Sequence, residues 1–116
     1  MTPMLPQSHL LVLTRNETWS EGEIATEPTE VGWAREAMVF IRALKPVTLR
    51  RGGALRVQVS PDGIHWADHG ATVALPDAQG AMTVASIERF GGWIRLAGSL
   101  QAGESITVLV SIHLKA

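Results

Sequence analysis

The end of the chain constrains the fold more than any other stretch. Ile106, Val108, Val110, Ile112 and Leu114 alternate with Thr107, Leu109, Ser111, His113 and Lys115. A helix would scatter those five apolar side chains around its circumference, whereas a strand sets all of them on one face. The same alternation recurs where Leu55, Val57 and Val59 are interleaved with Arg56, Gln58 and Ser60, and where Ile94 and Leu96 are interleaved with Trp93, Arg95 and Ala97. Three half-buried strands need partners, so the chain must build sheets.

Between these strands Ser60, Pro61, Asp62, Gly63, Ile64, His65 and Trp66 form the most specific local signal. Proline pre-sets the first central position of a type I turn, Asp suits the second, and Gly takes the left-handed conformation of a G1 bulge. The expectation is a hairpin turn built on Pro61, Asp62 and Gly63, with Trp66 close behind and a return strand beginning near Ile64. Further turn signals fall at residues 51–53, 76–80, 90–92 and 101–103. They separate runs of five to ten residues, the spacing of an antiparallel sandwich or small barrel.

Residues 31–45 allow two readings. Ala34, Ala37, Met38, Ile41 and Leu44 would line one face of a helix, with Arg35, Glu36, Arg42 and Lys45 elsewhere. Such a helix would strand Val39 and Phe40 on its polar side, so a strand over residues 37–43 is preferred. Other strands are expected at residues 8–15, 23–27, 71–74 and 82–87. The fold class is therefore all-β: an antiparallel, jelly-roll-like β-sandwich of about eight short strands. Its 116 residues amount to one domain, residues 1–116, with 1–7 as an N-terminal tail.

Composition removes whole classes of function. There is no cysteine, which excludes disulfides, thiol catalysis and thiolate-held zinc. The net charge of -1 gives no electrostatic case for nucleic acid or an acidic membrane surface. The first residues combine Pro3 and Pro6 with no Lys or Arg, unlike a secretory leader, and no apolar run approaches the ~20 residues of a membrane span. A cytoplasmic or particle-associated location is the expectation.

Catalytic chemistry is equally hard to place. His65 and His69 are four apart, but along a strand that is about 13 Å, too far to share one ion. No Gly-x-Ser-x-Gly elbow and no phosphate-cradling glycine loop before a helix occurs, and the carboxylates from Glu17 to Glu36 are spaced like a solvated face. The expectation is no enzyme, no catalytic residue, no metal site and no cofactor.

Charge is segregated along the chain. Glu17, Glu21, Glu23, Glu27, Glu30 and Glu36 face only Arg35 in sequence, while Arg42, Lys45, Arg50, Arg51 and Arg56 follow with no acid among them. Either the two stretches neutralise each other as a surface network within one molecule, or they form an acidic and a basic face on opposite sides of the domain that steer identical subunits together head to tail. Tryptophan is over-supplied, with four Trp against two Phe and no Tyr. Trp66 and Trp93 fit core or cross-strand positions, whereas Trp19 and Trp33 flank the polar, acidic segment. Trp19, Trp33, Glu27, Glu30, Arg50 and Arg51 are the candidate interface.

Residues 57–66, the run Phe90, Gly91, Gly92, Trp93, Ile94, Arg95, Leu96, and the strand at 105–115 together resemble small β-sandwich accessory proteins of phage particles and many bacterial proteins. That resemblance covers about the last 60 residues and implies fold more than function. The functional expectation is a non-enzymatic structural or assembly module that self-associates into a homo-oligomer, within a phage-like or other large particle. Its partners would be copies of itself and other particle subunits, not nucleic acid or membrane. The alternative is a carbohydrate-binding module that uses Trp19 or Trp33 as an exposed tryptophan platform.

Overall fold

Nine strands form two antiparallel sheets in a computed structural model, which describes residues 8–50 and 53–116. They are β1 (Ser8–Trp19), β2 (Gly22–Ala25), β3 (Thr29–Glu30), β4 (Glu36–Ala43), β5 (Ala54–Ser60), β6 (Ala67–Ala74), β7 (Met82–Glu88), β8 (Trp93–Leu100) and β9 (Ile106–Lys115). The expected tail, residues 1–7, lies outside the described residues, as does Arg51. Among the described residues no helix is long and apolar enough to cross a membrane.

Sheet A runs in the order β1-β9-β4-β7 and sheet B in the order β2-β8-β5-β6, with β3 also paired to β8. β2 and β3 lie end to end along β8, opposite Leu100–Ala97 and Ile94–Trp93. Thr26 bridges the gap by accepting the Leu96 N–H on its side-chain oxygen at 2.9 Å. Counted as one interrupted strand, they leave eight strands in two four-stranded sheets, and every connection but the β5–β6 hairpin passes from one sheet to the other. The sandwich expected from the sequence is the fold.

The period-two pattern fills the space between the sheets. Val39, Ile41, Ile87, Val110, Ile112 and Leu114 point inward from sheet A, and Leu55, Val57, Val73, Ile94 and Leu96 from sheet B; all are buried in one cluster. Branched aliphatic side chains suit this role because they pack well on a pleated surface and lose little rotamer freedom there.

Residues 37–43 are strand, as preferred over helix, and the structure explains the ambiguity. β4 pairs on both sides, with β7 and β9. It buries Ala37, Val39, Ile41 and Ala43 while Met38 and Phe40 occupy its other face. Apolar residues on both faces blur the alternation that marks a strand.

The return strand after the turn begins at Ala67 rather than near Ile64. The reason is that side chains, not a strand ladder, satisfy the backbone of the intervening loop. Ser60 Oγ accepts the N–H groups of Asp62 and Gly63 at 3.2 and 2.8 Å, and Asp62 Oδ1 accepts those of Ile64 and His65, each at 2.9 Å. Four consecutive N–H groups are thereby withheld from pairing, and residues 61–66 form a wide loop.

Candidate functional site

The outer faces of the two sheets differ in chemistry. On sheet A the register aligns three rows across four strands: Leu10, His113, Met38 and Ser86; Val12, Ser111, Phe40 and Val84; Arg15, Leu109, Arg42 and Met82. Seven of these twelve positions are apolar. Leu10 is 61% exposed, Met82 55% and Val84 49%, with Val12 and Met38 also exposed and Phe40 and Leu109 half-buried. From strand and residue spacings the three rows cover roughly 400 Å². A little over half of that area is apolar, and apolar side chains gathered in this way on an exposed sheet face are a candidate interaction surface.

Sheet B instead presents a hydrogen-bonded polar network. Arg95 Nε donates to Gln58 Oε1 at 2.8 Å, Gln58 Nε2 donates to Asp68 Oδ1 at 3.0 Å, and Arg56 Nε lies 3.5 Å from the same oxygen. The Arg95 guanidinium also sits 4.3 Å above the Trp66 ring, a cation–π contact. These side chains come from β5, β6 and β8 and the loop before β6, brought together by the pairings Gln58 with Arg95 and Gln58 with Asp68. Beside them Ala25 and Ala97 lie opposite one another across β2 and β8, and Arg56 is the next partner of Ala97. The result is a shallow trough of about 340 Å³ lined by Glu23, Ala25, Arg56, Gln58, Arg95 and Ala97.

A second depression of about 410 Å³ adjoins at Trp66, lined also by Val59, Pro61, His65 and Gly91. The loop over residues 61–66 shapes it. Gly63 takes the expected positive φ of 80° and lies against the Trp93 ring, where a Cβ would come within 3.2 Å. Four hydrogen bonds to Asp62, led by the His65 N–H, hold its carboxyl well below the usual carboxylate range. His65 Nδ1 lies 2.7 Å from Asp62 Oδ2, and His69 Nε2 lies 2.6 Å from the Glu88 carbonyl oxygen. The two histidines are thus engaged by different elements and do not converge. Pro61, Asp62, Gly63 and Trp66 all belong to this loop; Trp66, expected on the return strand, is half-buried just before it.

The expected interface residues do not lie together within one copy. Trp19 is 5% exposed and belongs to the core, because its position opposite Ile106 turns it between the sheets; its reading as a surface anchor is corrected. Trp33 is 42% exposed. It follows Glu30, which pairs with Trp93 at the start of β8, and Glu27 is exposed on the same connection. Arg50 lies toward the opposite end of β8, where its N–H donates to Glu104 Oε2 at 3.0 Å. Arg50 and Trp33 are therefore separated by the length of β8, eight residues or about 25 Å. Among the described residues the ion pairs join Arg56 to Asp68 and His65 to Asp62, and neither links the acidic stretch to the basic one.

Sequence reasoning missed the sheet A surface. Its signal was present: Leu10, Val12, Met38, Phe40, Met82, Val84 and Leu109 share the outward parity of their strands. Without knowing which strands are neighbours, seven scattered apolar residues do not add up to a patch. Only the register makes them contiguous.

No family model matches the chain, and no curated protein matches it. Among solved structures it is similar to PBSX exported protein XepA, with a TM-score of 0.64 and 14% identity, over 91% of this chain and 36% of that one. The chain spans about a third of the length of that protein. At this identity the likeness concerns the fold.

Proposed function

We propose that this domain is a non-enzymatic assembly module that self-associates into a homo-oligomer, as part of a phage-like or other large protein particle. The apolar outer face of sheet A carries the reading, and its occupant is a second copy. With a little over half of the face apolar, burial on two copies yields on the order of 12 kcal/mol gross. Association costs roughly 4–15 kcal/mol, so the surface supports a moderate, concentration-dependent contact rather than a permanent one. The face also carries a complementary rim. Arg15 and Arg42 flank Leu109 at one end, and Glu36 and Glu88 lie at the other on either side of their shared β4–β7 pairing, with Lys115 beside Glu36. Two copies meeting base end to acid end gain steering as well as burial. The fold likeness to PBSX exported protein XepA is compatible with this setting, and the reading of a particle component rests on the resemblance carried by residues 57–115.

The test places a charge within the patch. Val84→Lys combined with Leu10→Lys is expected to return the protein to 12.5 kDa in sedimentation velocity while its far-UV spectrum stays that of a β protein. An unchanged assembly mass in this variant would place the contact elsewhere.

A further inference from the structure

The polar face of sheet B is left unused by self-association through sheet A, and its side chains are arranged for a ligand of a different kind. We propose that the trough and the adjoining Trp66 cleft bind a neutral oligosaccharide, with Arg95, Gln58 and Asp68 holding its hydroxyls and the Trp66 cleft receiving the apolar face of a sugar ring.

Charge is the first argument. The trough's lining sets two cations, Arg56 and Arg95, beside the carboxylate of Glu23, and a second carboxylate, Asp68, lies against Arg56 and Gln58. A phosphate, a sulfated glycan or a nucleic-acid backbone would meet Glu23 and Asp68 as like charges, whereas a neutral polyol meets donors and acceptors in equal supply. Pre-organisation is the second. Arg95 is fixed by Gln58 and by the Trp66 ring, and Gln58 is fixed by Asp68, so these side chains lose little further freedom on binding. Each bond spends only part of its group's capacity. Asp68 Oδ2, the second Gln58 amide hydrogen and the outer guanidinium nitrogens of Arg95 remain for ligand, and bonds to the charged groups among them are the stronger kind.

Shape is the third argument. Ala25 and Ala97 give the trough a floor of small side chains on which a ring can lie close to the sheet. The second depression adds Val59, Pro61 and Trp66, apolar surface that complements the C–H face of a pyranose, with His65 as a polar group beside it. The Arg95–Trp66 contact joins the two depressions, so the site is a strip suited to at least two linked sugars. This moves the carbohydrate reading away from Trp19, which is buried, and off Trp33, which shares neither depression.

The experiment titrates the intact protein with cellohexaose, maltohexaose, xylohexaose and chitohexaose, following the indole N–H resonances of its four Trp by NMR. At least one is expected to shift the Trp66 signal and leave Trp33 unmoved, with a dissociation constant of about 10 μM to 1 mM. Arg95→Ala and Gln58→Ala should each weaken binding about tenfold or more, while Trp33→Ala leaves it unchanged. Circular dichroism melts of each variant separate lost binding from lost folding, and Gln58→Glu, which keeps the acceptor for Arg95, provides a second variant that should also weaken binding. The proposal is overturned if none of the four perturbs Trp66 at about 10 mM, if Trp33→Ala abolishes binding, or if sulfated dextran fragments bind at this strip more tightly than any neutral sugar. Sedimentation of the same samples keeps this outcome separate from the self-association question.

Discussion

A methyl group placed on Gly63 should cost far more than one placed on Gly80, although the two glycines have nearly the same positive φ. Their φ angles are 80° and 82°. Alanine in that region pays roughly 1–2 kcal/mol in crowding against its own carbonyl, and at both sites it regains about 0.4–1 kcal/mol by stiffening the unfolded chain. These contributions cancel in the comparison. What remains is the neighbourhood: a Cβ at Gly80 meets nothing within 4 Å, whereas at Gly63 it meets Trp93 Cδ2 and Cε2 at 3.2 Å. Trp93 cannot easily retreat, because its backbone is paired to Ser60 on one side and Glu30 on the other. Overpacking of this kind adds about 1–3 kcal/mol. Gly80→Ala should therefore lower stability by about 1 kcal/mol and Gly63→Ala by about 2–4 kcal/mol. With a urea slope near 2 kcal/mol per molar, the midpoints should fall by about 0.5 M and 1–2 M respectively. Equal losses at the two sites would refute the idea that the loop is locked by the Gly63–Trp93 contact.

Thr26→Val keeps the shape of a buried side chain but removes the oxygen that accepts the Leu96 N–H, so a loss of about 1–3 kcal/mol is expected in urea denaturation; no loss would mean that β2 and β3 do not depend on this bridge. Acid should weaken the fold through Asp62 and Glu104, both held below the ordinary carboxylate range by hydrogen bonds, those to Glu104 coming chiefly from the backbone N–H groups of Gln101 and Arg50. Because the folded values are depressed, their contribution is complete above the unfolded pKa near 4 and disappears as pH falls through the folded values. Asp62→Asn with Glu104→Gln should flatten the decline of the thermal midpoint below about pH 5, and a decline parallel to the unmutated protein would contradict that assignment.

The strands were legible because their side chains carry a period. β9 alternates over its whole length, and β5 and β8 do so on one face, so the sequence placed them directly. β1 was expected at residues 8–15 and runs on to Trp19, past register shifts near Leu13 and Asn16. Asn16 adopts a φ of 67°, a local kink that suits an edge strand and that no alternation predicts. The turn at Pro61, Asp62 and Gly63 was legible in residue type and in the sign of φ, but not in length, because the side-chain bonds of Ser60 and Asp62 decide where pairing resumes. Both candidate surfaces were illegible for one reason: each is assembled by register between strands distant in sequence. Gln58, Asp68 and Arg95 meet across three strands, and Leu10, Met38 and Val84 across the width of sheet A. Trp19 misled because its neighbours in sequence are polar while its cross-strand partner, Ile106, is buried.

Sedimentation equilibrium of the unmutated protein, over a concentration series from about 1 to 100 μM, tests the central claim most directly. The outer face of sheet A predicts a weight-average mass that rises with concentration toward a whole-number multiple of 12.5 kDa. A mass fixed at 12.5 kDa throughout the series would contradict it.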